Sequence, residues 1–221
     1  MAGGRAAQAR LDLRARLQLD GTQLDLRGSG ATDADVSALR VEDFPRVRSA
    51  LAAGTPIGDA GVAALARLAL TEIDLARTQA TDAGLAQLSR LRLERLDLTG
   101  TRVTDTGLAS LKGMPLHSLV LRETPISGAG LDIVAGLDLR VLDLARTRVA
   151  DSTIETLARA KRIVTLDLTN TSVTDLAVPH FDRIAGLSTL VLTGTRVGPD
   201  AIAGLKRRHP ELTIVTAFPI R

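Results

Sequence analysis

The chain has 221 residues, of which 45% are hydrophobic, and its formal net charge is +3. It contains no cysteine, which excludes disulfides, thiolate metal ligands and cysteine nucleophiles. Charged residues interrupt the N-terminal segment, and no later stretch approaches the roughly 18 uncharged apolar residues of a membrane span, so the sequence predicts a cytoplasmic location and no membrane contact.

Residues 1-23 precede the first repeat and are predicted to form an N-terminal cap. Leu17 and Leu24 lie on either side of Asp20-Gly21, a pair that is favoured in tight hairpin turns. This pattern predicts a strand pair that covers the first coil. The stretch from Arg5 to Leu17 is equally compatible with a short helix, so the sequence leaves both alternatives open.

A repeated unit occupies residues 24-211. One threonine returns every 23 or 24 residues, each time three residues after the second apolar residue of an apolar-x-apolar triplet. A fixed period of this length is typical of a solenoid, here of about seven to eight coils. The unbroken repeat leaves no place for a domain boundary. The recurring residues are Thr55, Thr78, Thr101, Thr124, Thr147, Thr171 and Thr195.

Each unit is predicted to contain a short strand and a short helix. Leu96-Asp97-Leu98 alternates with period two, and Leu108 and Leu111 form a helical stripe. The recurring threonine hydroxyls are predicted to bond buried loop groups. An aspartate is predicted to cap the start of the helix, and a glycine two residues later to let neighbouring coils approach closely. The aspartates are Asp33, Asp59, Asp82, Asp105, Asp151 and Asp175, and the glycines are Gly61, Gly84, Gly107 and Gly130.

Residues 212-221 are predicted to form a C-terminal capping strand and tail. The preceding segment ends with basic residues and Pro210, as the end of a helix does. Leu212-Thr213-Ile214-Val215 has the composition of a last strand. The sequence therefore predicts a stack that is closed at this end.

The repeat, written L-x-x-L-x-L-x-x-T-x-V-T-D-x-G-L-x-x-L, resembles the leucine-rich repeat superfamily. It is most similar to the bacterial short repeats and to the cysteine-containing subclass, whose units carry a similar T-D-x-G-L segment; here threonine stands where that family usually has Asn or Cys. The resemblance implies a right-handed α/β solenoid with a curved parallel sheet on its concave face and short helices on its convex face. The handedness also agrees with the general bias of parallel crossovers.

The concave strand face is the predicted binding surface. Strands pack about 4.8 Å apart while helices need about 8–10 Å, so the strand side must form the shorter arc. The predicted partner-binding residues are Asp74, Arg95, Asp97, Val120, Arg122, Val141, Asp143 and Asp167. Val120 and Val141, flanked by Arg122 and Asp143, are the expected energetic centre. Five aspartates at one equivalent strand position form an acidic column: Asp25, Asp74, Asp97, Asp143 and Asp167. The alternative is that this column is only a solvated feature of the repeat and that the valines merely strengthen the strands.

A row of arginines beside the acidic column supports a second hypothesis. This basic rim consists of Arg77, Arg102, Arg146, Arg148 and Arg196. It could attract an anionic partner, either nucleic acid or an acidic protein. Three phenylalanines without tyrosine or tryptophan offer no stacking platform for single strands, which disfavours nucleic acid.

Catalysis is not predicted. The three histidines, His117, His180 and His209, are far apart in the repeat, and none neighbours a Ser/Asp pair at a spacing that would assemble a charge relay. A flat row of carboxylates does not converge as metal ligands must, and no cofactor is predicted. The sequence therefore favours a non-enzymatic protein-recognition scaffold, which is compatible with a subunit of a larger complex, and it does not identify the partner.

Overall fold

The computed structural model describes residues 13–18 and 20–216. Nine strands, each three residues long, form one parallel sheet in the order in which they occur along the chain. Every strand pairs with the next in the same register, so that the middle residues of all the strands lie side by side. The strands are β1 (Gln23–Asp25), β2 (Ser49–Leu51), β3 (Glu72–Asp74), β4 (Arg95–Asp97), β5 (Ser118–Val120), β6 (Val141–Asp143), β7 (Thr165–Asp167), β8 (Thr189–Val191) and β9 (Thr213–Val215).

Short helices form the other side of the coil. The helical segments of successive coils pack against one another along the stack. The α-helices are α1 (Asp33–Ser37), α2 (Asp59–Leu65), α3 (Asp82–Gln87), α4 (Leu131–Ala135), α5 (Asp151–Leu157), α6 (Val178–Phe181) and α7 (Pro199–Arg208). Segments of 3-10 helix span Val41–Asp43, Leu88–Arg90, Gly107–Leu111 and Asp175–Ala177. This is the α/β solenoid that the sequence predicts.

The apolar core fills the space between the sheet and the helices. The middle residue of each strand from β1 to β8 is buried, and so is the apolar residue that follows the strand. Leu96, Leu98 and Leu108 show the pattern in one coil, since all three are at most 2% exposed. Because alternate strand residues point to opposite faces, the first and third residues of each strand face away from this core.

The recurring threonines bond buried loop groups, as predicted. Each hydroxyl from Thr55 to Thr195 donates to the carbonyl oxygen three residues earlier, at an O···O distance of 2.6–2.7 Å. Ser29 makes the equivalent bond to Leu26 in the first coil. These bonds lie within one loop, so the hydroxyls support each turn separately and do not join one coil to the next.

The helix-start aspartates correct one prediction, because they bond the next coil and do not cap their own helices. Asp82 accepts from the Thr104 backbone N–H at 2.7 Å and from its hydroxyl at 2.6 Å. Asp59, Asp105, Asp151, Asp33 and Asp175 likewise accept from backbone N–H groups one coil later. The caps of the aspartates' own helices, where a side chain provides one, are threonines such as Thr81 and Thr174.

The predicted close approach of neighbouring coils is confirmed at the repeated glycines. A Cβ atom at Gly107 would lie within 3.0 Å of the Asp82 carboxylate, and one at Gly84 would collide with Asp59 in the same way. The carboxylate that joins two coils therefore occupies the space that a side chain would need. The aspartate and the glycine depend on each other across the coil boundary.

Both ends of the described chain carry additional structure. Leu17 forms an antiparallel bridge with Leu24, and Gly21 adopts a φ of 70° in the connecting turn, so the hairpin alternative describes this segment. Leu13 and Arg14, just before it, are helical. At the other end, the side chain of Leu212, directly before β9, is buried and only 3% exposed. The rest of the predicted caps, residues 1–12, 19 and 217–221, lies outside the described residues. None of the helices in the described part of the chain is long and apolar enough to cross a membrane.

Replacing Thr101 by valine tests the threonine row. The Leu98 carbonyl also accepts from the Thr101 backbone N–H, so it keeps one partner in the variant. We therefore expect a loss of about 1 kcal/mol in the free energy of unfolding, measured by chemical denaturation. Thr99→Val is the matched control, because the Thr99 hydroxyl has no hydrogen bond within the described residues. Equal stability of the two variants would contradict the role assigned to the hydroxyl.

Replacing Gly107 by alanine tests the contact between coils. The new methyl group must displace the Asp82 carboxylate, so we expect a loss of about 1–3 kcal/mol in the free energy of unfolding. Gly204→Ala is the control: its Cβ would meet only the flexible ends of two arginines, and alanine in α7 should stabilise the chain by up to about 1 kcal/mol. Two variants that change stability in the same direction would refute this account.

Candidate functional site

The strand face brings the eight predicted residues onto one surface. Five of them, Asp74, Asp97, Val120, Asp143 and Asp167, are the third residues of β3 to β7 and are neighbours in the parallel register. Arg95 and Val141 are first residues of their strands, and Arg122 lies two residues after β5. Val120 and Val141 are not directly opposite each other, since Val120 pairs with Asp143 and Val141 with Ser118.

The acidic column has a structural role that the sequence reasoning missed. One oxygen of each aspartate accepts a hydrogen bond from the backbone N–H two residues later, where the chain turns away from the sheet. In the two central cases, the Ala76 N–H donates to Asp74 at 2.9 Å and the Thr99 N–H donates to Asp97 at 2.8 Å. Asp25, Asp143 and Asp167 do the same. In the sequence, each of these aspartates stands at the end of a predicted strand and directly before a predicted turn. That position could have indicated that its side chain would accept a hydrogen bond from the turn.

Arg122 joins two carboxylates of the column. Its guanidinium donates to Asp143 at 2.7 Å and to Asp167 at 2.9 Å. Burial opposes the charge on Arg122, but its hydrogen bonds with both aspartates leave its pKa raised. Burial raises the pKa of Asp143, and the bond from the Ala145 N–H only partly offsets this. The two charged residues that flank the predicted energetic centre, Arg122 and Asp143, are therefore already paired within the chain.

Two further ion pairs lie on the same face. Arg95 donates to Glu72 at 2.7 Å, and Arg27 donates to Asp25 at 2.8 Å. Asp74 and Asp97 are the two aspartates of the column that form no ion pair within the described residues, and they are neighbours in the sheet.

A shallow depression of about 210 Å³ lies over Asp74 and Asp97. Leu51 and Val120 line its two sides, on the strands that flank β3 and β4. Burial raises the pKa of Asp74, and the neighbouring charge of Asp97 adds to this effect. The Arg95–Glu72 ion pair also lines the depression, which therefore combines apolar walls with one ion pair and with two carboxylates that form no ion pair within the described residues.

The basic rim is less continuous than predicted. Arg77 and Arg146 occupy the third position after their strands, where Glu123 stands in the coil of β5, and Glu123 bonds both arginines at 3.3 and 3.0 Å. All three have φ values of 56–58°, in the left-handed region that glycine fills in other coils. Arg102, Arg148 and Arg196 form a second row, directly after the recurring threonines. The sequence reasoning missed Glu123, which neutralises part of the rim.

The histidines do not assemble a catalytic group. His209 lies 2.8 Å from Asp182, near the end of α7, while His117 and His180 belong to other coils. In the part of the chain that the structure describes, no group of three or more histidine, aspartate or glutamate side chains is arranged to hold a metal ion.

Replacing Asp74 by asparagine tests the unpaired carboxylate. Its pKa in the folded chain lies above the ordinary value of 3.8, so folding favours the protonated form, and this contribution to stability is lost as the pH rises through the folded pKa. We expect Asp74→Asn to raise the melting temperature at pH 7. The increase should be at most about 4 °C, which corresponds to about 1 kcal/mol of stability. Below about pH 3 the carboxyl is protonated in both states, so the substitution should have no effect on the melting temperature.

The matched control is Asp25→Asn, because the hydrogen bond from Arg27 lowers the pKa of Asp25. Its stabilising contribution is present above the ordinary pKa and lost as the pH falls through the folded value. The control should therefore lower the melting temperature at pH 7. A decrease for Asp74→Asn as well would show that its charge is stabilising.

Comparisons with known proteins agree with this geometry. A family model described as leucine-rich repeat matches residues 93–112. No curated protein matches the sequence. Internalin C2 of Listeria monocytogenes is similar in structure, with a TM-score of 0.66, 23% identity and coverage of 89% of this chain and 80% of that one. Another internalin of the same species, inlF, has a TM-score of 0.60 and 20% identity over 84% of this chain, which spans 51% of that protein.

These similarities show the fold and do not extend to a subclass. The matched model covers one repeat, and the solved internalins share the solenoid at low sequence identity. The cysteine-containing subclass has no support from them. The repeat pattern, the nine-stranded parallel sheet and the structural neighbours together support the leucine-rich repeat superfamily, and the fold of this chain is an α/β leucine-rich repeat solenoid.

Proposed function

We propose that the chain is a non-enzymatic scaffold that binds a partner protein through its concave strand face. Solenoids of this kind are generally protein-interaction scaffolds, because their stacked repeats offer one extended surface. The observation that carries the proposal is that the outward side chains of nine adjacent strands, with the exception of Ser49, are at least partly exposed among the described residues. At about 4.8 Å per strand this surface is roughly 38 Å wide. The cytoplasmic location belongs to the same proposal and rests on the sequence alone.

The proposed contact surface consists of the eight residues predicted from the sequence. Rigid strands hold them at fixed spacings, so the partner meets a surface that loses little conformational entropy on binding. Val141 is 37% exposed, which is unusual for a large apolar side chain in this chain. Val120 lies between the carboxylates of Asp97 and Asp143 in the register. The surface thus offers apolar contacts beside charges, as interface centres often do.

A second candidate function uses the basic rim to bind an anionic partner. Within the described residues, the side chains of Arg102 and Arg148 are exposed and form no hydrogen bond or ion pair. They are therefore available to phosphate or carboxylate groups of a partner. Glu123 weakens this candidate, because it already forms ion pairs with Arg77 and Arg146 of the same rim.

Site-specific photocrosslinking distinguishes these surfaces. A photoreactive amino acid is placed at Val120 on the strand face, at Arg102 on the rim, or at Leu176 on the helical side, where leucine is 75% exposed. Each variant is irradiated in an extract of the source cells, and the products are separated by mass. We expect a discrete crosslinked protein from the Val120 position, at least about tenfold more than from Leu176.

Crosslinks from Arg102 without any from Val120 would move the function to the rim. Crosslinks only from Leu176 would place the partner on the helices. The three variants should melt at the same temperature as the original chain, because each side chain faces solvent at least in part.

A further inference from the structure

We propose that the partner segment bound by the strand face is basic and that one of its arginine or lysine side chains lies between Asp74 and Asp97. This inference rests on the proposed function and specifies its chemistry.

The charge of the strand face is opposite in sign to that of the whole chain. The face comprises the first and third residues of each strand and the second residue after it. Within the described residues, these positions hold six carboxylates and three guanidinium groups, a net charge of −3, in a chain whose formal net charge is +3. The carboxylates are Asp25, Glu72, Asp74, Asp97, Asp143 and Asp167, and the cations are Arg27, Arg95 and Arg122.

The excess negative charge is concentrated at Asp74 and Asp97. The other carboxylates of the face form ion pairs with its three arginines. Asp74 and Asp97 are register partners on β3 and β4, so their carboxylates are neighbours. In each, one oxygen accepts a backbone N–H, while the second has no partner within the described residues.

The coils of β5 to β7 contain the same arrangement with its cation in place. There Val120 is followed two residues later by Arg122, whose guanidinium lies between Asp143 and Asp167 on the next two strands. The coils of β2 to β4 contain an equivalent set. Leu51 corresponds to Val120, and Asp74 and Asp97 correspond to Asp143 and Asp167.

The residue that corresponds to Arg122 in this second set is Ala53. Alanine has no charged group to offer, so within the described residues neither carboxylate receives the ion pair that Arg122 makes in the other set, and a depression of about 210 Å³ lies over the two carboxylates. A guanidinium or ammonium group from a partner can occupy that space and repeat the contacts that Arg122 makes. Leu51 and Val120, on the two sides, suit apolar residues next to the cation in the partner segment.

The test uses a minimal probe, the peptide acetyl-Leu-Arg-Leu-amide, and its neutral analogue with citrulline in place of arginine. Binding is followed by nuclear magnetic resonance at the backbone amides of Ala76 and Thr99, which donate to the two aspartates. We expect saturable shifts of these amides with the arginine peptide, and at least about tenfold weaker binding of the citrulline peptide, because charge-assisted bonds are lost.

Ala53→Arg is the decisive variant, since it supplies the missing cation from within the chain. It should weaken binding of the arginine peptide at least about tenfold, while Ala53→Gln, which is similar in length but neutral, should retain binding. Asp97→Asn provides a second test: its amide oxygen can still accept the Thr99 N–H, but the charge is gone. It should also weaken binding.

Failure of this proposal is distinguishable from failure of the proposed function. Absence of saturable shifts, equal binding of the two peptides, or unchanged binding to Ala53→Arg each overturns the cationic anchor. If the Val120 position still crosslinks a partner protein in that case, the strand face remains the binding surface and only its chemistry is wrong. If peptide binding behaves as expected but Val120 captures no protein, the anchor stands and the scaffold function fails.

Discussion

The parallel pairing of three-residue strands in one register is the constraint on which the rest of this structure depends. Each coil repeats at the strand spacing of about 4.8 Å, so a residue type that recurs in the sequence is stacked on its own copies in space. Apolar residues stacked in this way form a continuous core, and threonine hydroxyls support every turn in the same manner. The same stacking also places like charges side by side, as at Asp74 and Asp97 or at Asp143 and Asp167.

The chain compensates for this stacking of charge in two different ways. At the helix starts, each aspartate accepts backbone N–H groups of the next coil, so the charge stabilises the contact between coils. On the strand face, Arg122 bonds two aspartates, whereas the equivalent pair, Asp74 and Asp97, forms no ion pair with any described residue. Burial and the neighbouring charge of Asp97 raise the pKa of Asp74, so the ionised form of this pair is disfavoured in the folded chain.

Three charged residues in the loops that follow the strands adopt an unfavourable backbone conformation. Arg77, Glu123 and Arg146 occupy a left-handed backbone position that glycine holds in the coils of β1, β2, β4 and β8. A side chain in this conformation costs roughly 1–2 kcal/mol. The ion pairs from Glu123 to both arginines recover only part of that cost, because the arginines are largely exposed. Non-glycine residues in the left-handed backbone region cluster at functional sites in proteins generally.

The sequence by itself determined the period, the strand and helix of each coil, the buried rows and the residues that share the strand face, because these follow from local spacing. Only the tertiary structure decided that Asp82 bonds the next coil, that Arg122 reaches two strands and that Glu123 divides the rim. Such contacts join residues one or more coils apart. They depend on side-chain conformation and on the distance between coils, and the spacing of residues in the repeat specifies neither.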